Sequence, residues 1–396
     1  MRDTLDLKSQ SMKRSVAASV SLLFLGFVST ITAAGAAEPT AARLNWYRGN
    51  THTHTINSDG NTSPDVVARW YKEHGYQFLF ITDHEFITDP APLNALLGAT
   101  ERFLLLPGQE ITQWSAEKTH DAAHVNSLFA RKVIFPVGTR KCSGSGCGAI
   151  ADANVPLATT FKANINAVRE QGAIPQVNHP NYHWSVKPED LYDIPDHTLL
   201  EIWNGLDIIN NLGGDSGCSC DSRPSAEGYW DILLSRGKII YGVGSDDAHD
   251  FSATAESSGE SSGKAWVVVR APELTPGTIE AAIRAGNFYA STGITLDDVA
   301  VIPAKAGTQL EKPTQPATAA GAVLRITINP GRDPERGPRY LTRFIGNNGA
   351  TLAQSPGLEP TYTIKGNEGY VRASITDSNG RRAWTQPIFT DARARQ

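Results

Sequence analysis

Histidine and carboxylate residues recur at short spacings through the middle of this chain. His52 and His54 form an H-x-H pair, Asp59 follows in an Asp-Gly turn, and Asp83-His84 comes directly after an apolar run. Alternate residues of a strand point to the same side, so His52 and His54 can bind one metal ion. Further polar residues of this kind are Glu110, His124, Asn178, His179, Asn204, Asp246, Asp247 and His249. The residue types and spacings therefore indicate metal chemistry.

Almost all of these residues follow predicted strands. Apolar runs predict strands over residues 77–82, 103–106, 125–129, 174–177, 199–203, 238–243 and 266–269. Amphipathic or capped segments predict helices over residues 63–74, 160–170, 226–235 and 276–285. Repeated strand–helix units favour a parallel sheet, open or closed into a barrel, whose active-site face lies at the C-terminal ends of its strands. His124 is the exception, because it opens its strand.

The predicted convergence would place about nine histidine, aspartate and glutamate side chains on one face. Crowding buried polar and charged groups together is costly unless something compensates them. Divalent cations resolve this conflict, and about two or three of them suit a set of this size. Histidine and carboxylate ligands favour Zn, Mn or Fe. We therefore predict a multinuclear metal site.

The ordered set H-x-H-x-x-x-x-D-G, T-D-H, G-x-E, H, N-H-P and D-x-H resembles the PHP family of polymerase and histidinol phosphatase metalloesterases, in particular an exported branch near the carbamate-ester hydrolases. The resemblance runs from about Arg48 to about Gly293. It implies a distorted (β/α)7 barrel with a trinuclear or dinuclear metal centre. The ligands that it implies are His52, His54, Asp59, His84, Glu110, His124, His179, Asp247 and His249.

Two positions in this ligand set leave a choice. The D-x-H spacing selects Asp247 as the ligand. Asp246 is then expected to contact the ligands rather than the metal. His124 is preferred to His120, because an apolar strand follows it directly.

Ester hydrolysis is the chemistry that such a site predicts. Cations depress the pKa of bound water, so a metal-bridged hydroxide is available near neutral pH to attack a phosphoester or an acyl carbon. Glu110 is the best candidate to bridge two ions, since one carboxylate can bond both. The leaving group needs an acid, and Asp246, His183 and His120 are the candidates.

The substrate is less well defined by the sequence. Arginine or lysine beside the metal ions would favour phosphate, and aromatic residues would suit an organic substrate. Candidates of these two kinds are Lys187, Arg223, Lys264, Tyr182, Trp184 and Trp203. We expect a small-molecule ester as the partner. Phosphoester hydrolysis leads, and carbamate or carboxyl-ester hydrolysis on the same metal site is the alternative.

Other classes fit the sequence less well. The amidohydrolase superfamily also begins with H-x-H on a barrel strand, but the Asp59-Gly60 and Asp83-His84 motifs and the terminal Asp-Ala-His depart from its pattern. A non-catalytic exported protein that binds metal or mediates adhesion is a further alternative. No phosphate-binding G-x-x-x-x-G-K-[ST] loop is present. The net charge of -5 argues against a nucleic-acid binder that works by charge alone.

The N-terminal residues 1–36 are predicted to be a cleaved signal peptide. A basic start precedes an apolar centre over residues 22–28, and Ala34-Gly35-Ala36 resembles a cleavage site. A single transmembrane anchor is the alternative. Cleavage predicts a periplasmic or secreted protein with no membrane span. Disulfides could then tie the loops that carry Cys142, Cys147, Cys218 and Cys220, with their pairing open. A zinc site made by these cysteines ranks lower.

The C-terminal part has a different pattern. Residues 46–300 are predicted to form the metal-dependent hydrolase barrel, and residues 301–322, rich in Ala, Thr and Pro, a linker. Short alternating segments separated by turns over residues 323–396 predict a small antiparallel β-sandwich. The predicted class is therefore α/β, a barrel followed by a β-sandwich. The oligomeric state is left open.

Overall fold

The computed structural model describes residues 43–98, 102–115, 122–137, 139–143, 146–151, 155–215, 222–252, 259–303, 320–331 and 337–391. The predicted signal peptide, most of the predicted linker, His120, Cys218 and Cys220 lie outside these stretches. In the part of the chain that the structure describes, no helix is long and apolar enough to cross a membrane.

Within the described stretches, thirteen strands and five helices precede the C-terminal part. The strands are β1 (Asn45–Asn50), β2 (Phe78–Ile81), β3 (Leu104–Ser115), β4 (Ala122–Leu128), β5 (Thr139–Ser143), β6 (Gly146–Ala151), β7 (Ile174–Val177), β8 (Thr198–Asn204), β9 (Gly214–Asp215), β10 (Ser222–Arg223), β11 (Ile240–Ser245), β12 (Trp266–Ala271) and β13 (Phe288–Ser291). The helices are α1 (Pro64–Glu73), α2 (Pro90–Leu97), α3 (Leu157–Glu170), α4 (Ala226–Ser235) and α5 (Pro276–Arg284), with 3-10 turns at Tyr182–Trp184 and Pro188–Leu191.

The described residues of the C-terminal part form strands and one 3-10 turn, Asn347–Gly349. Its strands are β14 (Leu296–Ile302), β15 (Val323–Ile328), β16 (Tyr340–Gly346), β17 (Ala350–Pro356), β18 (Thr361–Thr363), β19 (Tyr370–Asp377), β20 (Arg382–Thr385) and β21 (Ile388–Phe389). The segments predicted as strands in this region correspond to β15, β18 and β19. Strand β20 pairs with β13, so the main sheet continues into this part of the chain. A separate β-sandwich therefore stays a prediction.

One mixed sheet carries most of the strands, in the order β11-β8-β7-β4-β3-β2-β1-β12-β13-β20-β19-β16-β17. The pairs β1–β2, β2–β3, β7–β8 and β8–β11 are parallel, whereas β4 is antiparallel to both β3 and β7. Six residues, 116–121, separate β3 from β4, and this is too short for the helical crossover that parallel neighbours need. The predicted α/β class is confirmed, while the closed barrel of seven units stays a prediction.

Strand β3 is longer than the sequence predicts. The apolar run predicts a strand over residues 103–106, directly before Pro107-Gly108, yet the strand continues to Ser115. Proline lacks an N–H group, but the Pro107 carbonyl accepts a hydrogen bond from the Ala130 N–H at 3.1 Å. A side chain at Gly108 would lie 3.0 Å from the Ile81 carbonyl oxygen, which explains a glycine where β2 and β3 approach closely. The extension matters because Glu110 lies on it.

Helix α1 shows how the local sequence fixes an element. Pro64 occupies its first turn, where the missing N–H costs nothing, and Gly75 follows its end at a φ of 78°. Ser63 lies at the predicted cap position, but its hydroxyl bonds to Asp65 rather than to the helix backbone. The helix buries Tyr71, whose hydroxyl donates a hydrogen bond to Asp246 Oδ2.

Helix α4 is tied to strand β19 by a buried charged network. Arg372 is fully buried and donates to Asp231 Oδ1 and Oδ2 at 2.8 and 2.6 Å and to Glu227 Oε1 at 2.8 Å. Glu227 and Asp231 are four residues apart and therefore share one face of the helix. Burial would raise the pKa of Glu227, but the Arg372 charge outweighs it and lowers that pKa. The network joins the C-terminal strands to the site-bearing part of the sheet.

We predict that Glu227→Gln lowers the free energy of unfolding by about 1–3 kcal/mol at neutral pH, because Arg372 loses a charged acceptor. The folded-state pKa of Glu227 lies below its ordinary 4.5, so its stabilisation is present above that value and is lost as the pH falls below it. Chemical denaturation should therefore show a difference between wild type and variant that shrinks under acid conditions. Glu280→Gln, which alters a more exposed pair with Arg284, is the control. A pH-independent difference would contradict this interpretation.

Candidate metal centre

The structure brings all nine candidate ligands together at one edge of the sheet, in three neighbouring groups that could each hold a metal ion. We call these nine residues the ligand cluster. The first group is His54, Asp59, His84 and His249; the second is His52, His54, Glu110 and Asp247; the third is Glu110, His124 and His179. Their assignment as ligands stays a prediction, but their convergence is a feature of the fold.

The antiparallel direction of β4 explains the position of His124. This residue lies near the start of β4, opposite Thr112 of β3, and its carbonyl accepts the Asn178 N–H at 3.1 Å. Because β4 runs against β3 and β7, its start lies at the edge where β7 ends. The histidine that was an exception in the sequence therefore reaches the same edge as the others.

Glu110 is the centre of the cluster. Its Oε2 lies 3.1 Å from His52 Nε2, 3.2 Å from His54 Nε2 and 3.4 Å from His84 Nδ1. Its Oε1 lies 3.0 Å from His124 Nδ1 and 3.6 Å from His179 Nε2. One carboxylate that is 1% exposed thus contacts five imidazoles and belongs to two of the three groups.

Two aspartates complete the cluster on either side of Glu110. Asp247 Oδ1 lies 3.1 Å from the Nε2 atoms of both His52 and His54. Asp59 Oδ2 lies 3.2 Å from His84 Nε2, and its Oδ1 lies 3.5 Å from His249 Nε2. Asp59 is the more exposed acid, with a third of its side chain accessible, so the first group opens towards solvent.

The buried charges shift the pKa values of the cluster strongly. Burial opposes protonation of His52, yet Asp247 and Glu110 outweigh it and raise its pKa to about 10. Burial lowers the pKa of His124 to about 4 in spite of Glu110. Burial raises the pKa of Glu110, but the surrounding histidines outweigh this and hold it well below its usual range. Glu110 is therefore ionised and can act as a ligand.

The orientation of the imidazoles fits metal binding better than hydrogen bonding. Among the described residues, buried His54 Nε2 has no hydrogen-bond partner, although it lies 3.1 and 3.2 Å from carboxylate oxygens of Asp247 and Glu110. Buried His124 Nε2 likewise has none within the described stretches. A divalent cation accepts lone pairs from nitrogen and oxygen alike, so the donor set fits such an ion.

Several residues that sequence reasoning missed hold the ligands in place. Glu201 is the most important of them: its Oε1 lies 3.1 Å from His52 Nδ1, and its Oε2 accepts the His179 N–H at 2.7 Å. The same carboxylate accepts from Asn204 Nδ2 at 2.8 Å and from the Ser245 hydroxyl. Glu201 is a lone acid between Leu200 and Ile202 in a buried strand, and this was the available signal.

Amide side chains and a further aspartate support the carboxylate ligands. Asn178 Nδ2 donates to Glu110 Oε1 at 2.9 Å, and Asn204 Nδ2 donates to Asp247 Oδ2 at 3.0 Å. Buried Asp83 accepts from the Thr55 N–H at 2.7 Å and from the Ser58 hydroxyl at 2.9 Å, which fixes the loop that leads to Asp59. Asp83 is therefore a support for the loop, whereas its neighbour His84 points into the cluster.

The two predicted acids differ in their surroundings. Asp246 is fully buried, and its oxygens accept from the N–H groups of Gly263, Lys264 and Ala265 and from the Tyr71 hydroxyl at 2.8–2.9 Å. Burial raises the pKa of Asp246. These contacts hold residues 263–265 in place, and the acid role of Asp246 stays a prediction.

His183 is exposed on the turn Tyr182–Trp184, with its ring centre 4.2 Å from that of Tyr182. Its role as an acid stays a prediction.

Two of the three cations predicted as phosphate contacts have partners in the fold. Lys264 Nζ lies 2.9 Å from Asp207 Oδ1, and Arg223 Nη2 donates to the Trp184 carbonyl at 3.3 Å. Lys187 is exposed at the start of the turn Pro188–Leu191.

The backbone register places Cys142 opposite Cys147 in the β5–β6 hairpin, and the disulfide pairing stays a prediction.

No protein-family model matches the sequence, and no curated protein matches it. Among solved structures, a two-domain protein from Bacteroides vulgatus that contains a predicted PHP-like metal-dependent phosphoesterase is 16% identical, with a TM-score of 0.43, over 87% of this chain and 95% of its own. A protein from Bifidobacterium adolescentis, proposed to be a metal-dependent phosphoesterase, is 13% identical, and an amidohydrolase from Chromobacterium violaceum is 12% identical. Both have TM-scores of 0.31 and cover 51% of this chain and 87% of their own.

We predict that Glu201→Gln lowers the affinity for Zn²⁺ or Mn²⁺ by about 10–100-fold, as is typical when a group that orients a metal ligand is lost. The glutamine amide would place an N–H₂ group where Glu201 now accepts hydrogen bonds, and this would misorient His52 or His179. Calorimetric titration of the apoprotein measures the effect. Glu189→Gln, on an exposed position, is the control. Equal affinities in variant and wild type would remove Glu201 from this role.

Proposed function

We propose that the chain is a metal-dependent hydrolase that cleaves a phosphoester of a small organic molecule. The observation that carries this proposal is the convergence of six histidines and three carboxylates, Glu110 among them, in three adjoining groups. A buried set of this kind exceeds what one ion needs, and two or three divalent ions of Zn, Mn or Fe suit it. The ordered motifs that resemble the PHP family agree with this chemistry.

The shared members of the three groups suggest how the ions would be distributed. His54 belongs to two groups, with Nδ1 3.4 Å from Asp59 and Nε2 3.2 Å from Glu110. A neutral imidazole has one free lone pair and so binds one ion, whereas a carboxylate can bond two. Glu110 is therefore the residue that would bridge two ions, and Asp59, His84 and His249 would hold a further one.

When bound, divalent cations make water nucleophilic near neutral pH and offset the negative charge that develops on the ester oxygens. The chain itself contributes orientation. Glu201 holds His52 through Nδ1 and leaves Nε2 directed at Glu110 and Asp247. Asn178 orients Glu110, and Asn204 orients Asp247, each by donating a hydrogen bond to one carboxylate oxygen.

Hydrolysis adds one water across the ester. A phosphorus–oxygen bond forms from the water, the phosphorus–oxygen bond to the organic substituent breaks, and the departing oxygen takes a proton to become an alcohol. Asp246 and His183 are the described candidates among the predicted acids, and the hydrogen bonds that both Asp246 oxygens accept favour His183. Carbamate or carboxyl-ester hydrolysis on the same site is the alternative.

The remaining proposals rest on sequence features alone. The basic, apolar and small-residue segments of residues 1–36 support export to the periplasm or beyond the cell. Export would place the hydrolase among small-molecule esters outside the cytoplasm. The PHP branch near the carbamate-ester hydrolases, and the closed barrel, are likewise proposed from the motif order.

Elemental analysis of the purified full-length chain, coupled to a panel of phosphoesters, carbamates and carboxyl esters, tests the proposal. We expect two or three ions per chain and phosphate release that chelation abolishes. Glu110→Gln should reduce both metal content and turnover. Loss of a residue that only orients ligands typically costs about 10–100-fold, and we expect a larger loss for Glu110→Gln. Glu189→Gln is the matched control.

Fewer than two ions per wild-type chain would contradict the proposed metal centre. Turnover of carbamates or carboxyl esters alone would overturn the phosphoester assignment and leave the hydrolase. Metal binding with no turnover of any ester would favour the non-catalytic alternative.

A further inference from the structure

Two aromatic rings stand against the histidines of the third group. The Tyr182 ring centre lies 5.1 Å from that of His179 and 6.1 Å from that of His124. The Trp114 ring is perpendicular to His124 at 5.2 Å and lies 6.4 Å from Tyr182. Both side chains are only partly buried, so they border the cluster and also face solvent. We call Trp114 and Tyr182 the aromatic pair.

The position of Trp114 follows from the long strand β3. Residues two apart in a strand point to the same face, so Glu110, Thr112 and Trp114 share one face. Glu110 is the centre of the cluster, and the Thr112 hydroxyl contacts His84. Trp114 is therefore placed beside the cluster by the same strand that provides its central carboxylate.

Tyr182 is held by a rigid turn. Its N–H donates to the His179 carbonyl at 2.8 Å, and fully buried Asn181 donates to the carbonyls of Asn210 and Pro224, each at 2.9 Å. Three non-glycine residues of this segment have positive φ, at 22° for His179, 48° for His183 and 58° for Trp184. Such backbone conformations cost energy and persist where the surroundings over-determine them, often at binding sites.

The polar end of Tyr182 is available to a ligand. In the stretches that the structure describes, its phenol hydroxyl makes no hydrogen bond. A phenol has an ordinary pKa near 10, so at neutral pH it carries a proton to donate. An apolar ring with an unused donor, placed beside a metal cluster, is typical of the few polar groups that orient a ligand in a mostly apolar pocket.

Apolar side chains are also exposed on two other loops of the cluster. Ile56 is 59% exposed and Phe86 is 43% exposed, and each lies two residues beyond a candidate ligand histidine. The Asn57 side chain donates to the Thr88 hydroxyl at 2.9 Å, which ties these two loops together. Ile56 and Phe86 thus add exposed apolar surface to the two loops that carry candidate ligands.

We propose that the aromatic pair binds a planar ring substituent of the ester, while the Tyr182 hydroxyl donates to an ester oxygen, so that the substrates are aryl-bearing phosphoesters. This inference rests on the proposed function. Trp203, a candidate for the same role from sequence, packs instead against Trp384 at 5.7 Å. It therefore serves as a control.

The test measures equilibrium binding of phenylphosphonate and methylphosphonate to the metal-loaded full-length protein by calorimetry, with metal content determined for each variant. We expect wild type to bind phenylphosphonate about 10-fold or more tightly. Trp114→Leu and Tyr182→Leu should each reduce this preference by about 2–10-fold, the usual contribution of an aromatic pair. Trp203→Leu should keep the preference.

Tyr182→Phe separates the ring from the hydroxyl. It should keep the preference for phenylphosphonate but weaken both phosphonates by about 10-fold or more, because a hydrogen bond to a charged oxygen is lost. Metal content should equal that of wild type in all these variants. A merely structural role for the pair would instead lower metal content and affinity together, without changing the preference.

The outcomes that overturn the inference differ from those that overturn the proposed function. If wild type holds its metal ions and binds both phosphonates equally, the aryl assignment fails while the hydrolase stands. If Tyr182→Phe binds both phosphonates as wild type does, the hydroxyl contact fails. If neither phosphonate binds in a metal-dependent way, the proposed function fails and the inference fails with it.

Discussion

A buried carboxylate surrounded by imidazoles is the constraint on which the site depends. Glu110 is almost inaccessible to water and contacts nitrogens of five histidines within 3.6 Å. A buried charge is tolerated when opposite charges or cations offset it. The fold therefore has to deliver the histidines to one point from β4 and from the residues that follow β1, β2 and β7. The supporting carboxylate Glu201 and amide Asn178 maintain that arrangement.

The sheet meets this requirement by mixing strand directions. A purely parallel arrangement would place the start of β4 at the opposite edge, away from the ends of β2 and β7. Reversing β4 brings His124 to the cluster, and extending β3 beyond Pro107 brings Glu110 to its centre. The C-terminal strands continue the same sheet through β13 and β20, and the Arg372 network ties them to α4. These strands are thus part of the support for the site rather than a remote addition.

Much of the cluster could be predicted from sequence, because its residues follow recognisable strands or turns at short spacings. His52, His54 and Asp247 were found in this way. Glu201 and Trp114 were missed because each lies inside a strand. An isolated polar or aromatic residue there is ordinarily interpreted as part of the packing of the sheet. The hydrogen bonds of Asp246 could not be predicted, since their four donors lie in a loop and a helix distant in sequence. Long-range pairing of this kind, like the direction of β4, is decided by the tertiary fold and leaves little trace in local pattern.

The proposal on which the rest depends is that Glu110 would bind two metal ions held by the surrounding histidines. Anomalous scattering from crystals of the protein grown with Mn²⁺ or Zn²⁺, recorded at the absorption edge of that metal, tests it most directly. We predict at least two anomalous peaks among the nine cluster residues, at ligand distances of about 2.0–2.2 Å, with Glu110 bonded to two of them. A single peak, no peak, or peaks that leave Glu110 without a bound ion would contradict the account.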